Sequence, residues 1–174
     1  QLAEKEREVH RLLEEKNVHP VRIDAIAGCP TPYAYRNKME YTFGDTVKDG
    51  PLCLGMHRKK HFMSIVTVDE CQLVPEDFNR ILSAVLGFCQ EKGYSFYHKK
   101  SHEGLLRHLI IRYGVRTGEL LVNIVTSSQG EFDDKGFTEM ITALELDNRV
   151  VGVLRTINDR LADAVYCEEL KVLW

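Results

Sequence analysis

Long apolar runs are missing from this chain. No stretch approaches the roughly 20 residues that a membrane-spanning helix needs, and the charged opening Gln1-Leu2-Ala3-Glu4-Lys5 is not a secretory signal. A soluble protein with a cytoplasmic address is expected. Paired cysteines are missing as well. The five cysteines are an odd number without any Cys-x-x-Cys pair, which argues against a disulfide framework and for reduced thiols. No glycine-rich turn joins a strand to a helix, so the dinucleotide and phosphate-loop fingerprints are absent. Gly114, Gly118 and Gly130 are spaced as turn residues. Neither an internal repeat nor a low-complexity segment is present.

What is there suits one compact core: 174 residues, 44% of them hydrophobic. The most ordered pattern is the run Tyr35 to Gly44. Read with the period of a β-strand, it places Arg36, Lys38, Glu40 and Thr42 on one face and Met39, Tyr41 and Phe43 on the other. The apolar side can bury while the basic side can hold phosphate.

The formal net charge of -3 excludes a uniformly basic coat, but the charges are unevenly distributed. Between Lys92 and Arg116 the only acid is Glu103, set against Lys92, Lys99, Lys100, Arg107, Arg112 and Arg116. Arg58-Lys59-Lys60-His61 is a second basic cluster. Local basic clusters on a mildly acidic chain are compatible with phosphate binding, and equally with a solvated surface.

The element order is mixed. Leu2 to about Lys16 reads as a narrow amphipathic helix with Val9, Leu12 and Leu13 on one side, closed by His19-Pro20. Gly28-Cys29-Pro30-Thr31-Pro32 is a connector into the first strand. A hairpin follows: Asp49-Gly50 is its turn, Leu52 to His57 extends beyond it, and Ser64 to Asp69 is a further strand. Pro75-Glu76-Asp77 opens a second helix with Phe78, Ile81, Leu82, Val85 and Cys89 on its apolar stripe, and Gly93 stops it. Leu106 to Tyr113 and Glu119 to Thr126 read as paired strands, Asp133 to Leu144 as a third helix, and Val150 to Ile157 as the last strand. The expected fold is α+β: an antiparallel sheet with two helices on one face, a ferredoxin-like β-α-β-β-α-β core preceded by a β-hairpin and an N-terminal helix.

Catalytic or metal chemistry has little support. His57 and His61 bracket three cations, which disfavours a metal. His98, His102 and His108 have only Glu103 as a carboxylate neighbour, a thin basis for acid-base work. Cys53 and Cys89 fall among apolar residues and read as core, whereas Cys71 follows Asp69-Glu70 at a strand end where its sulfur can point outward. Alone it cannot hold a metal cluster, which needs about four ligands.

Several motifs in one order carry a resemblance. YRNKMEYTFG, LGMHRKKHF leading to IVTVDECQLV, HEGLLRHLIIRYGVRTGELLVNIVT, and GVLRTINDRLADAV together resemble the bacterial RNA (uracil-5-)methyltransferases that modify 23S ribosomal RNA. The resemblance runs through nearly all of the chain, yet covers only the middle of such an enzyme. It implies a TRAM domain and a cysteine cluster before Gln1, and a Rossmann-like S-adenosylmethionine domain after Trp174. In that family the last domain does the chemistry: a cysteine adds to C6 of uracil, the enolate takes the methyl group at C5, and a glutamate removes the C5 proton. No cysteine of this chain matches that nucleophile, so the chain alone is expected to be inactive. The motif matching Val68-Asp69-Glu70-Cys71 makes Cys71 the fourth ligand of a 4Fe-4S cluster in cluster-containing members, the other three lying before Gln1. Residues 1–18 would pack on the absent catalytic domain, or self-associate through Val9, Leu12 and Leu13, and residues 30–174 would form the central domain.

The role implied is to hold folded ribosomal RNA so that the target uridine reaches the neighbouring active site. Arg36 and Lys38 are the first candidates for phosphate contact, followed by Arg58, Lys59, Lys60, Lys99 and Lys100. Arg107 and Arg112 are alternatively cations of the sheet's own pairing. Tyr97 is a candidate for base stacking, with packing at a strand end as the alternative. Two other classes compete: a structural module that fixes the geometry of flanking domains, and a small enzyme using the histidines between His98 and His108.

Overall fold

The computed structural model describes residues 1–162 and 164–174, so Asp163 of the motif GVLRTINDRLADAV lies outside the described residues. The chain divides into two units, Gln1–Pro32 and Tyr33–Trp174.

The first unit carries α1 (Leu2–Glu15), none of whose residues is buried. What supports it locally is charge at helical spacing: Arg11 lies between Glu8 and Glu15, and Arg7 pairs with Glu4. The hydrogen bond from Arg11 holds the Glu8 carboxyl below its ordinary range. Asn17 turns into the left-handed region at φ 52°, which ends the helix before His19-Pro20 is reached.

The second unit contains β1 (Lys38–Gly44), β2 (Cys53–Arg58), β3 (His61–Thr67), α2 (Glu76–Glu91), β4 (Leu106–Gly114), β5 (Glu119–Thr126), α3 (Asp134–Thr142), β6 (Arg149–Ile157) and β7 (Glu169–Val172). They form a seven-stranded sheet in the order β3-β2-β1-β4-β5-β6-β7. Every neighbouring pair is antiparallel except β5 and β6, which run parallel and are joined through α3.

The α+β class and the connectivity β-α-β-β-α-β, from β3 to β6, are as the periodicity predicts. The spatial order differs from a ferredoxin-like unit. There, the strand before the first helix would lie inside the sheet; here β3 stays on the edge beside β2. The slot that such a unit keeps for that strand, between β5 and β6, is closed because β5 and β6 pair directly, while β1 takes the β4 edge in a register that sets Met39 against Ile111 and Tyr41 against Leu109, all four of them buried. Two boundaries also move. β1 begins at Lys38 rather than Tyr35, because the Ala34 and Arg36 amides donate to the Gln72 and Leu73 carbonyls, each at 2.9 Å, instead of entering the ladder. β3 begins at His61, and β7 is an unforeseen short edge strand.

The core lies between the sheet and its helices. Met39, Tyr41, Phe43, Leu109, Ile111, Leu120, Val122 and Ile124 share one cluster with Phe78, Ile81, Leu82, Val85 and Cys89 of α2 and Phe137 and Ile141 of α3. Fully burying a phenylalanine such as Phe78 contributes about 2–3 kcal/mol. Asp133 caps α3, accepting from the Gly136 amide at 2.8 Å. Asp77, in the first turn of α2, is buried, and its carboxylate accepts from the Asp147 and Asn148 amides and from the Asn148 side chain. The turn before β6 is thereby tied to α2.

Candidate nucleic-acid interface

The alternation in β1 survives folding. Met39, Tyr41 and Phe43 enter the core, whereas Lys38, Glu40 and Thr42 take the opposite face. On that face Lys38 stands beside Arg112 of β4 and pairs with Glu40 two residues on. Both line a groove of about 450 Å³ with Asn123 and Thr156, whose side chains exchange hydrogen bonds at 3.0 and 3.1 Å. The rest of the groove is apolar, with Ile110, Leu121, Leu154 and Leu170, and its charges are two cations, Lys38 and Arg112, against one acid, Glu40. Arg36, outside the strand, is exposed and has its guanidinium 3.7 Å from the Met39 sulfur.

The other candidates gather elsewhere. Arg58 ends β2, Lys59 and Lys60 form the tight turn into β3, and Lys60 takes a left-handed φ of 66°. Lys99 and Lys100 lie at the tip of a second loop. That loop is closed by the bridge between His98 and Glu103 and by His98 Nδ1, which accepts from the Lys100 and Ser101 amides at 3.3 and 3.4 Å. At its base Gly104 adopts a φ of 118°, and a Cβ there would stand 2.0 Å from the Phe96 carbonyl oxygen, so only glycine closes the loop.

The two loops meet through an aromatic. Between the pairs His57↔Ile65 and Arg58↔His61, β3 carries three residues, Phe62, Met63 and Ser64, that have no counterpart on β2. Such a bulge re-aims side chains. Phe62 is 67% exposed, its ring lies parallel to His57 at 5.4 Å, and Lys99 Nζ sits 4.1 Å from its centroid. The structure thus brings Lys99 onto Phe62, in the strand entered from the turn of Arg58, Lys59 and Lys60, across some forty residues of sequence. It does not unite them with Arg36 and Lys38, which lie at the other end of β1, about 20 Å away at strand rise. Phe62 was the residue that sequence reasoning missed. Its signal was an aromatic directly after the run Arg58 to His61.

Other candidates resolve differently. Tyr97 is buried, with the Arg107 guanidinium 4.1 Å from its centroid, and so is packing rather than a free stacking surface. Arg107 is itself buried and structural: it donates to the carbonyls of Asn158, Arg160 and Ala162 at 2.7 to 2.9 Å. The histidines are dispersed. His98 accepts from its own loop, His102 Nδ1 lies 3.3 Å from the Tyr97 hydroxyl, and His108 Nδ1 lies 3.4 Å from the Thr42 hydroxyl. Among the described residues their side chains converge on no common group, so the small-enzyme reading gains no support from them. Cys71 is half-buried and packs against the core, with its amide and carbonyl engaged by Asn79. Among the described residues no group of three or more His, Cys, Asp or Glu could hold a metal, so Cys71 could supply one cluster ligand and no more.

No helix of the described residues is long and apolar enough to cross a membrane. No protein-family profile matches the chain. Curated relatives do: over the whole chain it is 44% identical to an uncharacterized RNA methyltransferase of Clostridium tetani and 44% identical to another of Caldanaerobacter subterraneus. A relative from Clostridium acetobutylicum is 42% identical. The chain spans 38% of the length of each. Among solved structures, the tRNA (uracil-54, C5)-methyltransferase of Pyrococcus abyssi, in complex with S-adenosyl-L-homocysteine, shares the fold. The match has a TM-score of 0.61 at 24% identity, over 82% of this chain and 32% of that one. Over its whole length the chain is therefore similar to a stretch of somewhat more than a third of these RNA methyltransferases.

Proposed function

We propose that this chain is the RNA-holding region of an S-adenosylmethionine-dependent RNA (uracil-5-)methyltransferase acting on ribosomal RNA in the cytoplasm. The observation that carries the reading is the contact of Lys99 with the exposed ring of Phe62, two residues beyond the lysine turn 59–60. Cations beside an exposed aromatic suit a phosphate backbone with unstacked bases. Supporting it are the RNA methyltransferase relatives and the fold shared with a tRNA uracil-5 enzyme. In this reading the methyl donor and the nucleophile belong to the rest of the longer protein, and α1 docks there through Val9 and Leu12. Cys71 is then the single ligand that these residues lend to an iron-sulfur cluster.

The test is binding of the full chain to a ribosomal RNA stem-loop, followed by fluorescence anisotropy as salt is raised. Phosphate contact predicts an affinity that falls steeply with salt, and a slope reduced by about 0.7 for each lysine removed from single-strand contact. Lys59→Ala with Lys60→Ala, and Lys99→Ala with Lys100→Ala, are expected to lower affinity and slope together. Arg36→Ala with Lys38→Ala measures the second patch separately. Binding that ignores salt, or no binding, sinks the reading in favour of a module that fixes the geometry of flanking domains.

A further inference from the structure

The β3 bulge does more than expose a ring. It forms one wall of a cleft of about 630 Å³, within the usual range for small-ligand sites. Opposite stands the β1–β2 connection with Asp45, Thr46 and Lys48; Phe96, His98 and Lys100 come from the second loop. Both walls are tied together. Ser64 donates to the Thr46 carbonyl at 2.8 Å, Thr46 donates to the Ile65 carbonyl at 2.8 Å, and the Ile65 amide donates to the Asp45 carbonyl at 2.8 Å. Asp45 also accepts from the Asp49 amide at 3.0 Å, so the connection holds its shape without a ligand. These polar groups are spent on the scaffold. What remains to meet a ligand is an apolar surface, Phe62, Met63 and Phe96, rimmed by Lys48, Lys100, His61 and His98 and by the single carboxylate of Asp45.

We propose that this cleft is a subsite for one unstacked nucleotide of single-stranded RNA, its base laid on Phe62 and its phosphates met by Lys48 and Lys100. The proposal rests on the RNA-holding reading and sharpens it. A duplex offers the same phosphates but keeps its base faces covered, so an exposed phenylalanine discriminates for unpaired strands. The Thr46 and Ser64 hydroxyls of the walls are already committed to backbone, so the subsite selects chiefly for a base that is unstacked rather than for its identity.

The full chain is titrated with a fluorescein-labelled oligouridylate and with an RNA duplex of the same nucleotide count, each across a range of salt. Phe62→Ala is expected to weaken oligouridylate binding roughly tenfold, with the salt slope and the duplex affinity unchanged. Lys48→Ala with Lys100→Ala weakens both ligands and lowers both slopes. A second readout uses Phe62→Trp in a Trp174→Phe background, where oligouridylate is expected to quench the indole. A Phe62→Ala effect below about twofold on the single strand, with the lysine effects intact, or an indole that does not quench, overturns the subsite and leaves the RNA-holding reading standing. Loss of salt-dependent binding to both ligands overturns both.

Discussion

The guanidinium of Arg107 lies 4.1 Å from the ring centroid of Tyr97, and both side chains are buried. A cation and an aromatic that sequence alone offers to RNA are here used on each other. The fork of Arg107 then reaches three carbonyls, of Asn158, Arg160 and Ala162, in the segment after β6. Replacing it leaves those carbonyls without their donor in a partly buried setting. Arg107→Ala is expected to cost about 3 kcal/mol, read by thermal melting, with amide exchange rising first between Asn158 and Ala162. Arg107→Lys is expected to recover little, since one ammonium cannot span the fork. RNA affinity measured below the melting range should be unchanged, which separates this buried cation from the surface lysines.

Asp77 makes a comparable long-range tie. Its buried carboxylate accepts from two amides and one side chain of the 147–148 turn, at 2.8 to 2.9 Å, while Arg80 lies 3.7 Å away. Asp77→Ala is expected to destabilise the chain by about 3 kcal/mol, through three charge-assisted hydrogen bonds lost at once. Asp77→Asn keeps one acceptor oxygen and should cost less. Chemical denaturation measures both; equal stability of Asp77→Ala and the native chain would falsify the tie.

These two residues show where the sequence speaks and where it stops. The α2 stripe, the β4 and β5 pair and the alternation of β1 were readable because each is a local period imposed by burial on one face. Asp77 reads correctly as a first-turn acid, but its partners lie seventy residues away, and no local pattern encodes them. The edge position of β3 depends on β5 and β6 pairing directly, a choice between distant strands that no local period encodes. The bulge at Phe62 is an excess of three residues on one strand relative to its partner, visible only once they are paired. So the cations of the site were legible as two clusters, while their meeting, and the aromatic between them, required the fold.

Cysteine reactivity offers a test that needs no variant. Cys89 is buried in α2, and burial pushes its thiol up to about 12, so it stays protonated and covered at mildly alkaline pH. Cys29 and Cys167 are exposed. Iodoacetamide at mildly alkaline pH is expected to modify Cys29 and Cys167 quickly, Cys53 and Cys71 more slowly, and Cys89 only after denaturant is added, as followed by peptide mass spectrometry. Rapid native labelling of Cys89 would mean that α2 does not pack on the sheet as described.

The pair Lys92 and Asp133, at 2.8 Å, joins the end of α2 to the cap of α3 and gives stability a pH dependence whose sign is fixed. Hydrogen bonding to Lys92, then the Gly136 amide, holds the Asp133 carboxyl below its ordinary range. Its contribution is therefore complete above the ordinary carboxylate range and is lost as pH falls through the lowered value. The same hydrogen bond raises Lys92, whose contribution is complete below the ordinary lysine value and is lost as pH rises through the raised one. Across neutral pH the pair is constant. Both groups are solvent-accessible, so salt should weaken the effect. Lys92→Met is thus expected to lower the melting temperature by a fixed amount through the neutral range, and by less in strong acid, where Asp133 takes up its proton in either chain. The share of acid sensitivity that Asp133 keeps in Lys92→Met comes chiefly from the Gly136 cap, and Asp133→Asn should remove that share. A melting-temperature gap that widens toward acid has the wrong sign for a depressed carboxyl and would exclude this pair as its source.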